Sequence, residues 1–418
     1  FQANKYEWTS NPVALAYFTN DVRTRFKTFG NIYGEYAFLR EKELKFRTNL
    51  GVDINYTHNK AFYPNFGDDE NNANFPGLGR KNRPNALTDD RGEEMNFTWT
   101  NTLNYSKRIN KHQISALAGT EYITWKTANT GGSRNRFDYE TPNFQYLDYG
   151  NAQTDVWNGG SGSDLGLFSF FGTATYTYDS KYMLTANFRA DASSNFGENK
   201  RWGYFPSMSV GWRISEENFM RDISWLDDLR LRASVGSLGN QELPYYVYKT
   251  LFTLQEGRYR LIRMGNPDLK WETTTQTNIG ADLALLRNKL TLSVDYFVKK
   301  TSDILLPLSL PEIYGTLEAT SVNAGDVSNK GFEIALGYRN TAGEFKYGIN
   351  ANFATIKNNV DHLHANMPII AGDVYRTSVG QPLGAFYGYN MIGIYQNQAE
   401  IDKHLPNTPD NMKPHPRY

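Results

Sequence analysis

The sequence predicts an all-β protein, a transmembrane antiparallel β-barrel, and three observations carry that expectation. Eleven stretches alternate apolar and polar residues with period two, and one side of every stretch is free of charge. With the better register chosen in each, about 62 positions fall on the uncharged side and about 16 Asp, Glu, Lys or Arg on the other; at 21% charged residues, about 13 would reach the first side by chance. A Lys or Arg facing lipid at mid-membrane costs roughly 2–4 kcal/mol, so complete exclusion is what hydrocarbon requires. Register choice enlarges the contrast without creating it. The second observation is a regular alternation of short and long connections. The third is low mean hydropathy, −0.60, with no apolar run of about 18 residues that could cross as a helix. A strand of roughly 9–11 residues spans the hydrocarbon with only alternate side chains apolar, which dilutes the membrane signal by half.

Twelve strands in six hairpins are expected, over 24–38 and 44–56, 95–106 and 112–124, 167–178 and 182–191, 204–215 and 229–236, 272–285 and 290–299, and 332–339 and 345–355. The clearest is 44–56, where Leu44, Phe46, Leu50, Val52, Ile54 and Tyr56 point one way and Lys45, Arg47, Asn49, Asp53 and Asn55 the other. Connections inside hairpins are short, as at 40–43, 107–111, 179–181, 286–289 and 340–344. Those between hairpins, 57–94, 125–166, 237–271 and 300–331, are long. Tight turns on the periplasmic side and extended loops outside are the topology of an outer-membrane barrel. Only 216–228 breaks the rule, and it could hold a helical turn around Trp225 and Leu226.

Residues 1–23 and 358–418 are assigned to extracellular loop segments and 24–357 to a partial barrel. Twelve strands alone leave a narrow barrel or two edges whose unpaired backbone groups each cost several kcal/mol in hydrocarbon. With a first residue of Phe1 and no leader-like segment, the chain reads as an internal or processed piece of a larger barrel. The competing reading is a soluble multi-sheet protein, whose strands also hide one apolar face.

Aromatic residues reach 15%, the formal charge is zero and cysteine is absent. Amphipathic rings suit membrane interfaces and sugar- or peptide-binding surfaces, the neutral charge argues against nucleic acid, and the lack of Cys removes thiolate sites. No Walker loop, HExxH, EF-hand loop or G-x-S-x-G elbow occurs, so neither an enzyme nor a cofactor is expected. Gly159, Gly160 and Gly162 read as a flexible loop, and His362 and His364 as a solvated segment. Asp68, Asp69 and Glu70 supply oxygen ligands suited to calcium in no known spacing, and read first as surface charge. Asn55, Asn96 and Asn104 fall in N-x-Ser/Thr patterns inside strands, where they are chance matches. Solute-binding candidates are the loop aromatics Tyr245, Tyr246 and Tyr248, and Phe386, Tyr387 and Tyr389, which could stack on sugars, fill peptide pockets or pack loop on loop. Arg189, Arg213, Arg230, Arg232 and Asp295, with Asp191, Asp282, Glu333 and Arg339, are expected to line a polar lumen and pair with one another or with a plug.

Several segments resemble the SusC/RagA-type family of TonB-dependent outer-membrane transporters: RADASSNFGENKRWGYFPSMSVGWRISEENFM over 189–220, LRLRASVGSLGNQ over 229–241 and NPDLKWETTTQTNIGADLALLRNKLTLSVDYFVKKTSDILL over 266–306. NAGDVSNKGFEIALGY over 323–338, VGQPLGAFYGYNMIGIYQ over 379–396 and NPVALAY over 11–17 extend the likeness. The resemblance implies a 22-stranded barrel in the outer membrane, filled by an N-terminal plug outside this sequence. It also implies a TonB box through which the TonB–ExbB–ExbD complex pulls, a SusD-like surface lipoprotein as lid, and an oligosaccharide or oligopeptide solute. The expected function is active uptake. A passive diffusion porin and a barrel that anchors a surface complex are the alternatives.

Overall fold

In the computed structural model twelve strands form one antiparallel sheet whose spatial order follows the chain. The structure describes residues 16–404 apart from 18, 40, 66–83, 152, 154–155, 221, 256, 309–312, 314–317, 365–368, 372–373, 389–390 and 392. The sheet runs β1 (Asn20–Phe38), β2 (Leu44–Tyr63), β3 (Ala86–Ile109), β4 (His112–Asn135), β5 (Trp157–Tyr178), β6 (Tyr182–Ser193), β7 (Trp202–Arg213) and β8 (Leu226–Asn240). It continues through β11 (Glu272–Leu285), β12 (Leu290–Ser302), β15 (Gly325–Asn340) and β16 (Tyr347–Leu363). The remaining strands are short and belong to loops: β9 (Leu251–Gln255) pairs with β10 (Arg258–Arg263), β13 (Leu305–Leu308) with β14 (Thr320–Asn323), and β17 (Ile369–Ala371), β18 (Tyr375–Thr377) and β19 (Ala385–Phe386) form a small sheet. A helix α1 (Gln398–His404) follows.

Register carries the uncharged flank across the whole sheet. Leu50 on β2 lies opposite Ile32 and Trp99, and Trp99 opposite Tyr122. Tyr122 lies opposite Phe168, which faces Ala192 on β6. Farther round, Leu292 on β12 faces Leu283 and Leu336. These side chains therefore share one face, and because a one-residue slip would turn every apolar side chain inward, the pairing is tightly specified. Buried hydrophobic clusters sit only at the long-loop end among the described residues. They are Phe62, Leu87 and Phe137 in one place, Val327, Val360 and Leu363 in another, and a larger cluster around Phe196 and Trp271. A barrel wall bathed by lipid on one face and polar contents on the other needs no such core.

Turns at the opposite end are tight. Between β5 and β6 Asp179 and Ser180 adopt φ of 51° and 57°, the double left-handed geometry whose twist matches that of paired strands. The expected helical turn at Trp225 and Leu226 is not there: Leu226 opens β8, and the helical turns lie earlier, at Ile214–Glu216 and Asn218–Met220. Glu217 between them explains why. Its carboxylate accepts hydrogen bonds from Tyr182 Oη (2.6 Å), Lys181 Nζ (3.2 Å) and Trp212 Nε1 (3.2 Å), which pins the connection to the strand ends beside it. The hydrogen bonds from Tyr182 and then Trp212, with the Lys181 cation, hold this carboxyl below the usual carboxylate range.

Several strands outrun their expected limits. β3 and β4 are 24 residues long each, and β16 continues to Leu363, six residues past the expected barrel boundary at 357. The added segments carry Asp89, Asp90, Arg91, Glu93 and Glu94 on β3 and a Gly131–Gly132 pair on β4. Beyond the hydrocarbon both faces meet water, so the apolar alternation lapses while the hydrogen-bonded ladder goes on.

Candidate functional site at the inner wall and outer mouth

The face opposite the apolar flank carries the charges, and the sheet register gathers them into networks. On β6, Arg189 donates from Nε to both oxygens of Asp191 (2.8 and 3.0 Å) and from Nη2 to Glu121 Oε1 (3.1 Å) and Ser169 Oγ (2.9 Å). Farther round, Arg232 on β8 donates to both oxygens of Asp282 (2.8 and 3.1 Å) and to Asp295 Oδ2 on β12 (2.9 Å). To reach Asp295 the guanidinium must cross β11, and the residue it crosses is Gly280, paired with Arg232 on one side and Asp295 on the other. A Cβ there would collide with Asp295 Oδ1, so only glycine leaves room for the bridge. Near the tight-turn end Arg213 Nε donates to Asp228 Oδ1 (2.7 Å), with Arg230 3.8 Å from the same carboxylate. Planar guanidinium forks suit two-oxygen recognition, which is how these arginines tie strands together across the wall.

An inner-wall recess of about 390 Å³ opens beside this second network, lined by Arg232, Gln276, Asn278, Asp295, Lys299 and Glu333. It presents both signs of charge and two amides.

The outer mouth is closed in by loops that fold back over the inner wall. Leu167, Phe196, Phe205, Val247, Leu269 and Trp271 form a buried cluster, with Ile123, Trp125, Leu243 and Leu305 packed against it. Trp271 stands at its centre, 5.2 Å from the Phe196 ring and 5.4 Å from that of Phe205, and its Nε1 donates to the Arg201 carbonyl at 2.8 Å. The loop after β8 is in turn laced to the β13–β14 hairpin: Thr320 Oγ1 donates to the Met264 carbonyl, Asn266 Nδ2 to Ser321 O, and Asn323 Nδ2 to Lys270 O. Two loops far apart in sequence thereby act as one body.

The candidate aromatics divide. Tyr245, Tyr246 and Tyr248 flank buried Val247 in the folded-back loop; Tyr246 Oη accepts from the Asp164 amide at 3.2 Å, and Lys249 Nζ lies 5.5 Å from the rings of Tyr246 and of Tyr248. These rings pack loop on loop at the rim of the mouth and keep partly exposed faces. Phe386 belongs to the small sheet, where it contacts Tyr375 (5.4 Å) and is 87% exposed, and Tyr387 lies under the Arg376 guanidinium (5.0 Å). No hydrogen bond or ring contact among the described residues joins the two groups. Tyr389 and the Asp68, Asp69 and Glu70 group lie outside the described residues. The Phe196–Trp271 cluster was not singled out from the sequence; its one signal is a Trp and several apolar residues inside segments that otherwise read as loop.

Residues 2–412 match the family described as TonB dependent receptor-like, beta-barrel. TonB-dependent receptor P39 of Formosa agariphila is 30% identical over 98% of this chain and 38% of its own length, and SusC of Bacteroides thetaiotaomicron is 30% identical over 54% of this chain and 25% of its own. Among solved structures, the RagAB peptide importer in its closed-closed state superposes with a TM-score of 0.81 at 25% identity, covering 91% of this chain and 42% of that one. The chain spans about two fifths of the length of the TonB-dependent receptors P39 and P3, at 38% and 39%. With its twelve-stranded sheet, apolar outer flank and charged inner wall, it belongs to the TonB-dependent receptor-like β-barrel family of outer-membrane proteins, in the SusC/RagA group.

Proposed function

We propose that this chain forms part of the wall and mouth of an active importer, one that takes up an oligosaccharide or oligopeptide together with a SusD-like surface lipoprotein. The observation that carries this reading is the mouth itself. Its loops are tied into one body around Trp271, and they border an inner wall whose ion pairs leave a polar recess. An open diffusion pore has no need of such a loop-covered, aromatic-rimmed wall, whereas a captured solute gains from stacking faces and fixed polar groups. The relatives' names agree in kind: SusC and RagAB, the latter described as a peptide importer. The edge strands β1 and β16 are not paired to each other and would meet further strands in the closed barrel, around a plug coupled to TonB–ExbB–ExbD. Lid closure responds to cargo only if solute binds the closed state better than the open one. Residues 1–23 and the segment after β16 are assigned to the outer surface, where they would meet lid and solute.

The test is purification of the intact barrel from outer membranes, followed by uptake assays with glycan and peptide mixtures in cells with and without TonB. A stoichiometric surface lipoprotein and TonB-dependent uptake support the proposal. Energy-independent liposome swelling would favour a porin, and unchanged uptake of every nutrient together with loss of a surface assembly would favour an anchoring role.

A further inference from the structure

We propose that Lys300, Lys330 and Lys357 form a binding site on the lipid-facing surface for a phosphate-bearing glycolipid of the outer leaflet. All three occupy the apolar flank's register. On β12, Lys300 continues the row Leu292, Val294, Tyr296, Val298, while Val298 lies opposite Lys330 and Lys330 directly opposite Lys357 on β16. Directly paired side chains have Cβ atoms roughly 4.5–5.5 Å apart and diagonal neighbours about 7–8 Å apart, so three ammonium groups can converge on one anion. Each of the three is exposed, and among the described residues no carboxylate pairs with any of them. The nearest acidic group along β16, Asp361, is instead engaged by Ser328 Oγ and Asn359 Nδ2.

Height fits a headgroup. Lys300 lies ten residues beyond Leu290, which at about 3.3 Å per residue and a tilt near 40° is about 25 Å along the membrane normal, the height of a barrel's apolar band. Beneath the lysines sit Tyr296 and Phe332, ring centroids 4.8 Å apart, at the depth where aromatic girdles meet the headgroup boundary. Lysine stems can lie along apolar surface while their ammonium groups reach up to phosphate.

The like-charged cluster is a local exception. On other strands, charges in the same register lie beside opposite ones: Lys126 faces Asp164 across β4 and β5, and Arg91 lies 3.6 Å from Asp89 on β3. Directly opposed lysines repel. An anion between them removes that penalty, and an outer-leaflet phosphate is the anion available at this depth.

The experiment is native mass spectrometry of the intact protein, purified in detergent and incubated separately with bisphosphorylated lipid A, dephosphorylated lipid A and inorganic phosphate. The expected result is retention of bisphosphorylated lipid A alone, weakened on the order of 100-fold in a K300Q/K330Q/K357Q variant, since each surface lysine adds substantially to anionic lipid binding. An arginine version, K300R/K330R/K357R, retains the lipid and shows that the sheet tolerates substitution there. Equal retention of the dephosphorylated form by the unaltered protein would overturn the proposal without recourse to any variant. Undiminished binding by the folded glutamine variant, or competition by inorganic phosphate at millimolar concentration, would overturn it as well.

Discussion

Replacing Trp271 with Ala should open the mouth without melting the barrel. The indole is 7% exposed, contacts the Phe196 and Phe205 rings, and satisfies the Arg201 carbonyl. Truncating a buried aromatic of this kind costs roughly 3–5 kcal/mol, and a hydrogen bond of this type contributes about 1 kcal/mol of it. At about 1.4 kcal/mol per decade, a loss of about 4 kcal/mol raises the opened population of the loop body by about a thousandfold. The effect is local because most of the cluster's other members come from the loops, with Leu167 from the middle of β5 and Phe205 from the outer end of β7, while the twelve-stranded ladder is untouched. Trp271→Phe keeps a ring and loses the hydrogen bond, so its effect is about tenfold. Hydrogen exchange on the protein in detergent reads this directly: amides of residues 243–270 lose protection while those of 276–285 keep theirs. Less than a tenfold change in the loop, or an equal loss throughout β11, would refute the reasoning.

Two further outcomes follow from the inner wall and the tight-turn end. Arg232→Ala leaves Asp282 and Asp295 without their shared cation; with both partners of the first pair more than a third exposed, solvent screening limits the loss to about 1 kcal/mol in a urea titration of the folded barrel. Arg232→Lys does not restore it, because one ammonium cannot make the fork that spans Gly280; full rescue by Lys, or a loss above about 3 kcal/mol, would contradict a solvated network. Glu217 binds its proton less readily when folded than when unfolded, so its clip contributes at neutral pH and is lost only as pH falls through the lowered value. Trp212 fluorescence should stay level through the ordinary carboxylate range and change below it, with Glu217→Gln abolishing the step; a step within that range would count against the clip.

How much was legible in the sequence depended on what each residue answers to. Lipid imposes a rule on alternate residues one at a time, and so the flank from Leu44 to Tyr56 and the six hairpins could be read directly. Above the membrane that rule stops, which hid the outer ends of β3 and β4, where Asp89 to Glu94 look like loop yet stay in the ladder. Partners set by register were also out of reach: Glu121 and Arg189, or Arg232 and Asp295, lie more than sixty residues apart and meet only once the strands are aligned. Trp225 and Leu226 misled because apolar residues in a connection suggested a helix, while the carboxylate of Glu217 organised the turn instead.

The most direct test of the central claim is spin-label accessibility along β12. Residues 1–418 contain no cysteine, so once any cysteine elsewhere in the intact protein is replaced, single labels at Leu292, Ser293, Val294, Asp295, Tyr296 and Phe297 can be placed one at a time in that protein reconstituted in lipid. The even positions should be reached by oxygen dissolved in the bilayer and the odd positions by a water-soluble nickel complex, with period two throughout. Labels at 292, 294 and 296 shielded from both reagents, as inside a water-soluble protein, would contradict it.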